Sequence, residues 1–269
     1  HVIVLTGCDS EGRIWYLDPD PGVEGEQTDE VDWLNDCTRP EFTLVRDLIP
    51  IYSVKAELLK PGYGYVWITN FRENTTADLI EALEAMEKGA TPLKGLIMDL
   101  RDNPGGILNQ AIDVSDLFLE AGEILSIKGR EGQHTKVFQA HPDDVKREYP
   151  IVVLINGGSA SASEIVAGAV QDHDRGVVLG DATWGKGLVQ TVMPLSKGRA
   201  IKLTTSRYYT PSGVSIHERG IEPDISIQRE LGERTVITPT RAEPEYDSDI
   251  EFALDTLKQN KRIVQSKAE

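Results

Sequence analysis

The sequence predicts an α/β fold in which a mainly parallel sheet is flanked by helices. The first indication is the alternation, from about residue 50 onward, of short apolar runs with segments whose apolar residues recur at helical spacing. The second indication is that two of the apolar runs end in glycine-rich loops, RDNPGG and GGSASAS. Such loops are typical of the carboxyl ends of parallel strands, where reactive groups tend to collect.

The first half of this pattern contains a well-marked helix. Thr75 and Asp78 have capping-box spacing, an apolar stripe follows them, and Gly89 can end the helix. Before the helix, YGYVWIT (63–69) is typical of a strand. After it, GLIMDL (95–100) is a short apolar run between a glycine and the turn RDNPGG, which favours a buried strand.

The second half repeats the alternation and then changes to extended segments. The predicted elements are a helix at roughly 107–119, a strand at 151–155, a helix from Ser161 to about Gln171, a strand at 177–180, strands in LVQTVMPL and RAIKLTTSRYYT, and a closing amphipathic helix at 249–259. The β–α–β–α–β order indicates parallel pairing in the centre of the sheet.

Composition excludes several classes of partner. The chain has 269 residues, enough for one large domain or two, and its 28 basic and 44 acidic residues give a net charge of −16. This balance argues against nucleic acid and anionic membranes, which need a basic face. No apolar run approaches the roughly 18 residues of a membrane span. No metal and no cofactor are predicted, because the sequence lacks metal-ligand spacing and a phosphate-loop ending.

Three serines, Ser159, Ser161 and Ser163, open the helix after GG, and they allow two interpretations. Ser161 and Glu164 have capping-box spacing, so the hydroxyls could serve only to start a helix. Alternatively, one hydroxyl is a nucleophile, which requires a nearby base. None of the five histidines lies in a recognisable base motif, so a lysine is the other candidate.

The stretch GDATWGKGLVQ supplies that candidate, Lys186, between two glycines and just before a predicted strand. A lysine amine is a base only when neutral, which requires desolvation to lower its pKa from about 10.4, so we expect Lys186 to be buried. If the strand pairs regularly, Lys186, Leu188 and Gln190 face the same way, and the Gln190 amide can hold the lysine amine. The alternative is an exposed Gly-Lys-Gly turn.

At this point the sequence resembles the tail-specific, or C-terminal processing, serine proteases. The resemblance covers about residues 41–228 and rests on long motifs in the family's order. These are YGYVWITNF, GLIMDLRDNPGG, INGGSASASEIVAGAVQD, GDATWGKGLVQ and KLTTSRYYTPSGVSIHERGIEPDI. It implies a Clp/crotonase-like protease core.

The resemblance assigns roles residue by residue. It implies that Ser161 is the nucleophile, that Lys186 is the general base, and that Gln190 orients the lysine. It also implies an oxyanion hole from the Gly105–Gly106 turn and Ala162. Glu164 and Asp172 match acidic positions whose role is supporting, whereas Ser159 and Ser163 are expected only to shape the turn. A hydroxyl at a helix N-terminus lies beside free N–H groups, which suits a developing oxyanion.

The sequence departs from the family before the core. Family members usually carry a complete PDZ domain there, which receives the substrate's C-terminal tail as an added strand. Here residues 1–49 are expected to be the C-terminal remnant of a PDZ-like domain, with strands in HVIVLTG and EFTLVRDLI (41–49) and an acidic insertion at 18–32. Residues 50–269 are expected to be the protease core with its closing helix. Cys8 and Cys37 either pair or are unrelated thiols.

The predicted function is therefore a serine endopeptidase that cleaves proteins near their C-termini through an acyl-enzyme on Ser161. Its partners would be proteins or peptides with accessible C-terminal tails, and it could form a homo-oligomer. The resemblance implies a location in the bacterial cell envelope, periplasmic or extracytoplasmic. Two alternatives are a crotonase-like acyl-CoA enzyme, which needs neither Ser161 nor Lys186, and a non-catalytic protease-like binding scaffold.

Overall fold

The structure, a computed structural model, describes residues 4–8, 14–17, 52–130, 135–143, 145–196, 199–227 and 248–266. The chain divides into two compact units, His1–Ile51 and Tyr52–Glu269. In the first unit, β1 (Val4–Cys8) pairs antiparallel with β2 (Ile14–Leu17). The predicted strand at 41–49, the acidic stretch and Cys37 lie outside the described residues, so the PDZ-like assignment stays a prediction.

A six-stranded sheet forms the centre of the second unit. In spatial order its strands are β12 (Ile225–Ser226), β9 (Gly176–Gly180), β8 (Ile151–Ile155), β5 (Gly95–Asp99), β4 (Tyr63–Ile68) and β3 (Val54–Lys60). All neighbours pair in parallel except β3 and β4, which are antiparallel. The prediction of a mainly parallel sheet is confirmed.

Helices cover both faces of this sheet. They are α1 (Thr75–Glu87), α2 (Leu108–Asp116), α3 (Ala162–Asp172) and α4 (Ser248–Ser266). Side chains alternate along each strand, so Leu96 and Met98 join the cluster that includes buried residues of α1, α2 and α3. Ile97 points to the other face and joins the cluster that contains Leu254 and Leu257 of α4. The four predicted helices are therefore confirmed, with α2 shorter than expected.

A second sheet has four strands and is antiparallel throughout. In spatial order it contains β10 (Leu188–Pro194), β11 (Ala200–Tyr209), β6 (Gly122–Gly129) and β7 (Lys136–Ala140). The sequence predicted β10 and β11 but missed β6 and β7. It also missed β3 and β12. β3 is a largely exposed edge strand rich in lysine and glutamate, which gives little strand signal, and β12 has two residues.

The capping box predicted for Thr75 and Asp78 is wrong. The N-cap of α1 is Asn74, and its side chain makes no capping hydrogen bond. The Thr75 hydroxyl accepts the Arg72 N–H at 2.8 Å and lies 2.7 Å from the hydroxyl of the buried Ser53. The Thr75 hydroxyl therefore bonds to Ser53 and to the Arg72 N–H instead of forming the capping box that the spacing predicted.

A buried ion cluster attaches α4 to the carboxyl end of β5. The Arg101 guanidinium donates to Asp99 at 2.6 Å and to Asp249, in the first turn of α4, at 2.9 Å. The Tyr65 hydroxyl donates to the same Asp99 carboxylate at 2.8 Å. All three charged side chains are almost fully buried, so each depends on the others for charge compensation.

We expect Arg101→Met to lower the free energy of unfolding by about 3–5 kcal/mol, because it leaves two buried carboxylates without their cation. Urea denaturation followed by circular dichroism measures this. Lys88→Met removes a cation from the exposed pair with Glu84 and should change stability by less than about 0.5 kcal/mol. Equal losses in the two variants would contradict the role assigned to the cluster.

Candidate active site

Two loops meet at the carboxyl edge of the parallel sheet. The glycine loop (residues 101–106) follows β5 and the serine loop (residues 157–163) follows its neighbour β8. The Ala160 N–H donates to the Asn103 carbonyl at 2.9 Å, and the Asp102 N–H donates to the Asn156 side chain at 2.9 Å. Parallel pairing brings the two loops to one edge, and these bonds fix them to each other.

The three serines of the serine loop have different surroundings. Ser159 and Ser163 are fully buried, and their hydroxyls donate to the carbonyls of Leu100 at 2.7 Å and Asn103 at 2.9 Å. Ser161 is partly exposed, and within the described residues its hydroxyl donates to no carbonyl. The prediction that Ser159 and Ser163 shape the turn is confirmed, and Ser161 is the serine whose hydroxyl proton is not committed to the fold.

Ser161 also has an unusual backbone conformation. It is the N-cap of α3, with φ 57° and ψ −110°, a region that a residue with a side chain rarely occupies. Gly105 lies directly against it, because a Cβ at Gly105 would come within 2.8 Å of the Ser161 Cβ. The glycine therefore allows the close approach of the two loops that holds Ser161 in this conformation.

The main-chain N–H groups around Ser161 differ in whether they already donate a hydrogen bond within the protein. The Gly105 N–H donates to the Asn103 side chain at 2.9 Å, whereas those of Gly106 and Ala162 have no acceptor within the described residues. Gly106 has φ +150°, and a Cβ there would collide with the Phe71 carbonyl. Ala162 is the first residue of α3, where free N–H groups carry the positive end of the helix dipole.

The carboxylate of Glu164 joins the serine loop to the lysine turn (residues 183–187). Its Oε2 accepts the N–H of Ser161 at 2.6 Å and the N–H of Lys186 at 2.9 Å. Its Oε1 accepts the N–H of Gly185 and the hydroxyl of Thr183, each at 2.6 Å. Glu164 is fully buried, and its bond from the Ser161 N–H is the return contact of the predicted capping box, while the Glu164 N–H donates to the Ser161 carbonyl at 3.0 Å. One carboxylate therefore positions the main chains of both predicted dyad residues.

The Lys186 side chain itself is exposed, which contradicts the burial expected from its predicted role. The turn around it is tightly held, since the Gly185 carbonyl accepts the Glu218 N–H and the Gly187 carbonyl accepts the Tyr208 N–H, both at 2.9 Å. The neighbouring Trp184 side chain is 73% exposed. The turn fixes the main chain of Lys186 but leaves its amine in contact with solvent.

Two other predicted residues form no hydrogen bond with this group within the described residues. β10 begins at Leu188, and its pairing with β11 shifts register between Val189 and Gln190, so regular alternation cannot place Gln190 beside Lys186. Within the described residues, no hydrogen bond joins these two side chains. Asp172 lies at the far end of α3, where its carboxylate accepts the Ser212 N–H at 2.8 Å, a supporting contact remote from Ser161.

Sequence reasoning missed two residues that organise the site. Asn103 uses its main-chain carbonyl for Ala160 and Ser163, its side-chain oxygen for Gly105, and its amide for the Ile68 carbonyl at 2.7 Å. The Thr183 hydroxyl donates to Glu164 and accepts the Ile221 N–H at 2.7 Å. An asparagine in a glycine-rich loop after a strand was the available signal for Asn103, since such side chains commonly bind nearby backbone.

In the part of the chain that the structure describes, no group of three or more histidine, cysteine, aspartate or glutamate side chains is arranged to hold a metal ion. Within the same residues, no helix is long and apolar enough to cross a membrane.

Comparison with known protein families gives the class of the protein. The model of peptidase family S41 matches residues 62–227, which contain both loops and the lysine turn. The chain belongs to this family. The resemblance inferred from the sequence motifs is thereby confirmed.

Individual relatives carry more specific names. The chain is 47% identical over 196 residues to a carboxy-terminal-processing protease of Bartonella bacilliformis, covering 72% of this chain and 45% of that protein. It is 38% identical over 221 residues to a carboxyl-terminal-processing protease of Synechocystis, covering 81% and 50%. A solved photosystem II D1 C-terminal processing protease superposes with a TM-score of 0.60 at 35% identity, covering 68% of this chain and 50% of that one. The chain spans about half the length of these relatives.

We expect the three serine-to-alanine variants to separate structural from non-structural hydroxyls. Ser159→Ala and Ser163→Ala each remove a buried hydrogen bond, to the carbonyls of Leu100 and Asn103, and should each lower the free energy of unfolding by about 1–1.5 kcal/mol. Ser161→Ala should lower it by less than about 1 kcal/mol, because the Glu164 N–H keeps its bond to the Ser161 carbonyl. Urea denaturation of all three variants tests this order, and a largest loss in Ser161→Ala would refute it.

Proposed function

We propose that this chain is the catalytic core of a serine endopeptidase that cleaves protein substrates near their C-termini. Ser161 is the nucleophile and Lys186 is the general base. The observation that carries the proposal is the shared carboxylate of Glu164, which accepts the main-chain N–H groups of both residues on a single oxygen. These two hydrogen bonds therefore limit the distance between the main-chain nitrogens of Ser161 and Lys186. The names of the S41 relatives support the C-terminal cleavage site.

In the first half-reaction, the neutral amine of Lys186 takes the proton of the Ser161 hydroxyl while Oγ attacks the scissile carbonyl carbon. The carbonyl oxygen becomes an oxyanion. The N–H groups of Ala162 and of the Gly105–Gly106 turn stabilise it, with Gly106 as the donor whose N–H has no acceptor within the described residues. The tetrahedral intermediate then collapses, the amine leaving group receives the proton from Lys186, and an ester to Ser161 remains.

In the second half-reaction, Lys186 takes a proton from water, and the resulting hydroxide attacks the ester carbonyl. The same N–H groups stabilise the second oxyanion. Its collapse returns the proton to Ser161 Oγ and releases the new carboxyl terminus. The positive φ of Ser161 supports this role, because backbone strain held in place by Glu164 and Gly105 keeps the hydroxyl at the helix N-terminus.

The exposed amine of Lys186 adds a condition to the mechanism. General-base catalysis requires a neutral amine, and removal of water favours the neutral form. We therefore propose that the bound substrate covers Lys186 and the exposed Trp184, so that desolvation of the amine accompanies substrate binding. In this proposal, Gln190 orients the Lys186 amine once the substrate covers the lysine turn. Glu164 and Asp172 are positioning residues, since they bind main-chain N–H groups and, for Glu164, also the Thr183 hydroxyl.

The proposal also includes four features that the sequence predicted. They are a Clp/crotonase-like core, a PDZ-like segment in residues 1–49, a homo-oligomeric state and a location in the bacterial cell envelope. The antiparallel β1–β2 pair in the first unit is compatible with a strand-rich segment. The alternatives, an acyl-CoA enzyme and a binding scaffold, predict that loss of Ser161 and Lys186 leaves activity or binding unchanged.

We expect Ser161→Ala and Lys186→Ala each to reduce cleavage of unfolded casein by at least about a thousandfold, because each removes a group that acts in both half-reactions. Initial rates of peptide release between pH 6 and 10 measure this. In the parent the rate should rise with pH, since the reactive form of the amine is the neutral one.

The matched control is Lys94→Ala, which removes another exposed lysine and should leave the rate unchanged. Circular dichroism of each variant verifies folding. Full activity in either Ser161→Ala or Lys186→Ala would refute the dyad, whereas a silent parent would show that this chain alone does not carry the proposed activity.

A further inference from the structure

A basic pocket adjoins the lysine turn, on a chain that is otherwise strongly acidic. It has a volume of about 520 Å³, and its lining includes Lys128, Arg130, Arg207 and His217 together with hydroxyl side chains of β11. No carboxylate is among the described residues that line it. Positive charge is therefore concentrated in this pocket, although the chain as a whole has a net charge of −16.

The strand register brings two of these cations together. Arg207 of β11 is the direct cross-strand partner of Lys128 of β6, and on its other side Arg207 pairs with Leu188 of β10. Like charges at directly opposite positions of an antiparallel pair destabilise the sheet. The Lys128 ammonium is placed 4.5 Å from the centre of the Tyr209 ring, which offsets part of this repulsion but supplies no negative charge.

The pocket has unused capacity to bind an anion. Within the described part of the chain, Lys128, Arg130 and Arg207 form no ion pair with a carboxylate. His217 lines the pocket, and its ring nitrogen Nδ1 is buried without a hydrogen-bond partner. Buried polar groups in folded proteins are normally satisfied, so the wall of the pocket at His217 is incompletely hydrogen-bonded.

The pocket adjoins the main chain of the lysine turn. Leu188, in its wall, is two residues from Lys186. Gly187 packs so closely on His217 that a Cβ at Gly187 would collide with the His217 main-chain nitrogen. The Gly187 carbonyl accepts the Tyr208 N–H, between the pocket residues Arg207 and Tyr209. The main chain of the lysine turn therefore packs directly against residues that line the pocket.

We propose that this pocket is a subsite for a carboxylate of the polypeptide substrate, so that the protein prefers substrates with an acidic segment beside the cleaved bond. The inference rests on the proposed peptidase function for the identity of its ligand. The carboxylate comes either from an aspartate or glutamate side chain or from the substrate's own C-terminus. Arg207 and Lys128 bind it through charge-assisted hydrogen bonds, and the repulsion between them is relieved on binding.

The test is a binding measurement on the Ser161→Ala protein, which separates recognition from cleavage. The probes are fluorescent ten-residue peptides that contain either two adjacent aspartates or two asparagines, each with a free or an amidated C-terminus. We expect the aspartate peptide to bind at least about tenfold more tightly than the asparagine peptide at low salt, and the difference to shrink as ionic strength rises. A preference for the free over the amidated terminus would identify the C-terminus as the source of the carboxylate.

Matched charge removals provide the control. Lys128→Gln combined with Arg207→Gln should abolish the preference, whereas Lys60→Gln combined with Lys94→Gln, two exposed lysines outside the pocket, should preserve it. Equal binding of all four peptides, or a preference that survives loss of Lys128 and Arg207, would overturn the subsite. A parent that binds the acidic peptide but never cleaves casein would show that this chain alone does not carry the proposed activity, and it would leave the carboxylate-binding pocket standing.

Discussion

The buried carboxylate of Glu164 is the interaction on which the rest of the site depends. It lies in the first turn of α3, where the helix dipole favours a negative charge, and it accepts four hydrogen bonds. A buried carboxylate without such donors would be strongly unfavourable, so the serine loop and the lysine turn must both close around it. The serine loop and the lysine turn, about twenty residues apart in the sequence, are thereby held in one geometry, although within the described residues no hydrogen bond joins the side chains of Ser161 and Lys186.

The architecture of the sheet makes this closure possible. β5 and β8 are fully buried parallel neighbours, and their carboxyl ends deliver the glycine loop and the serine loop to the same edge. Asn103 and Gly105 then let the two loops approach closely, and Ser161 takes a conformation that the local sequence alone would not favour. Rigid elements position the proposed nucleophile, while the Lys186 amine and the basic pocket face solvent, where a substrate can reach them.

Local sequence patterns predicted the elements that are fixed by interactions between residues close together in the sequence. Apolar runs marked β5 and β8, and the Ser161–Glu164 spacing marked the start of α3. The partners of Glu164 in the lysine turn could not be predicted from spacing, because they are fixed by tertiary packing. The burial expected for Lys186 was wrong for the same reason, and the register shift after Val189 removed the basis for placing Gln190 beside it. β6, which carries part of the basic pocket, and its neighbour β7 gave too little strand signal to be recognised.

Amide hydrogen exchange of the lysine turn would test the role of Glu164 most directly. We expect the N–H groups of Gly185 and Lys186 to exchange at least about tenfold faster in Glu164→Gln than in the parent, since an amide cannot accept all the bonds that the carboxylate accepts. β5 and β8 should remain protected, and Glu81→Gln, the same substitution at an exposed position of α1, should have no effect. Unchanged exchange at Gly185 and Lys186 in Glu164→Gln would contradict the account, because the turn would then be held by something other than this carboxylate.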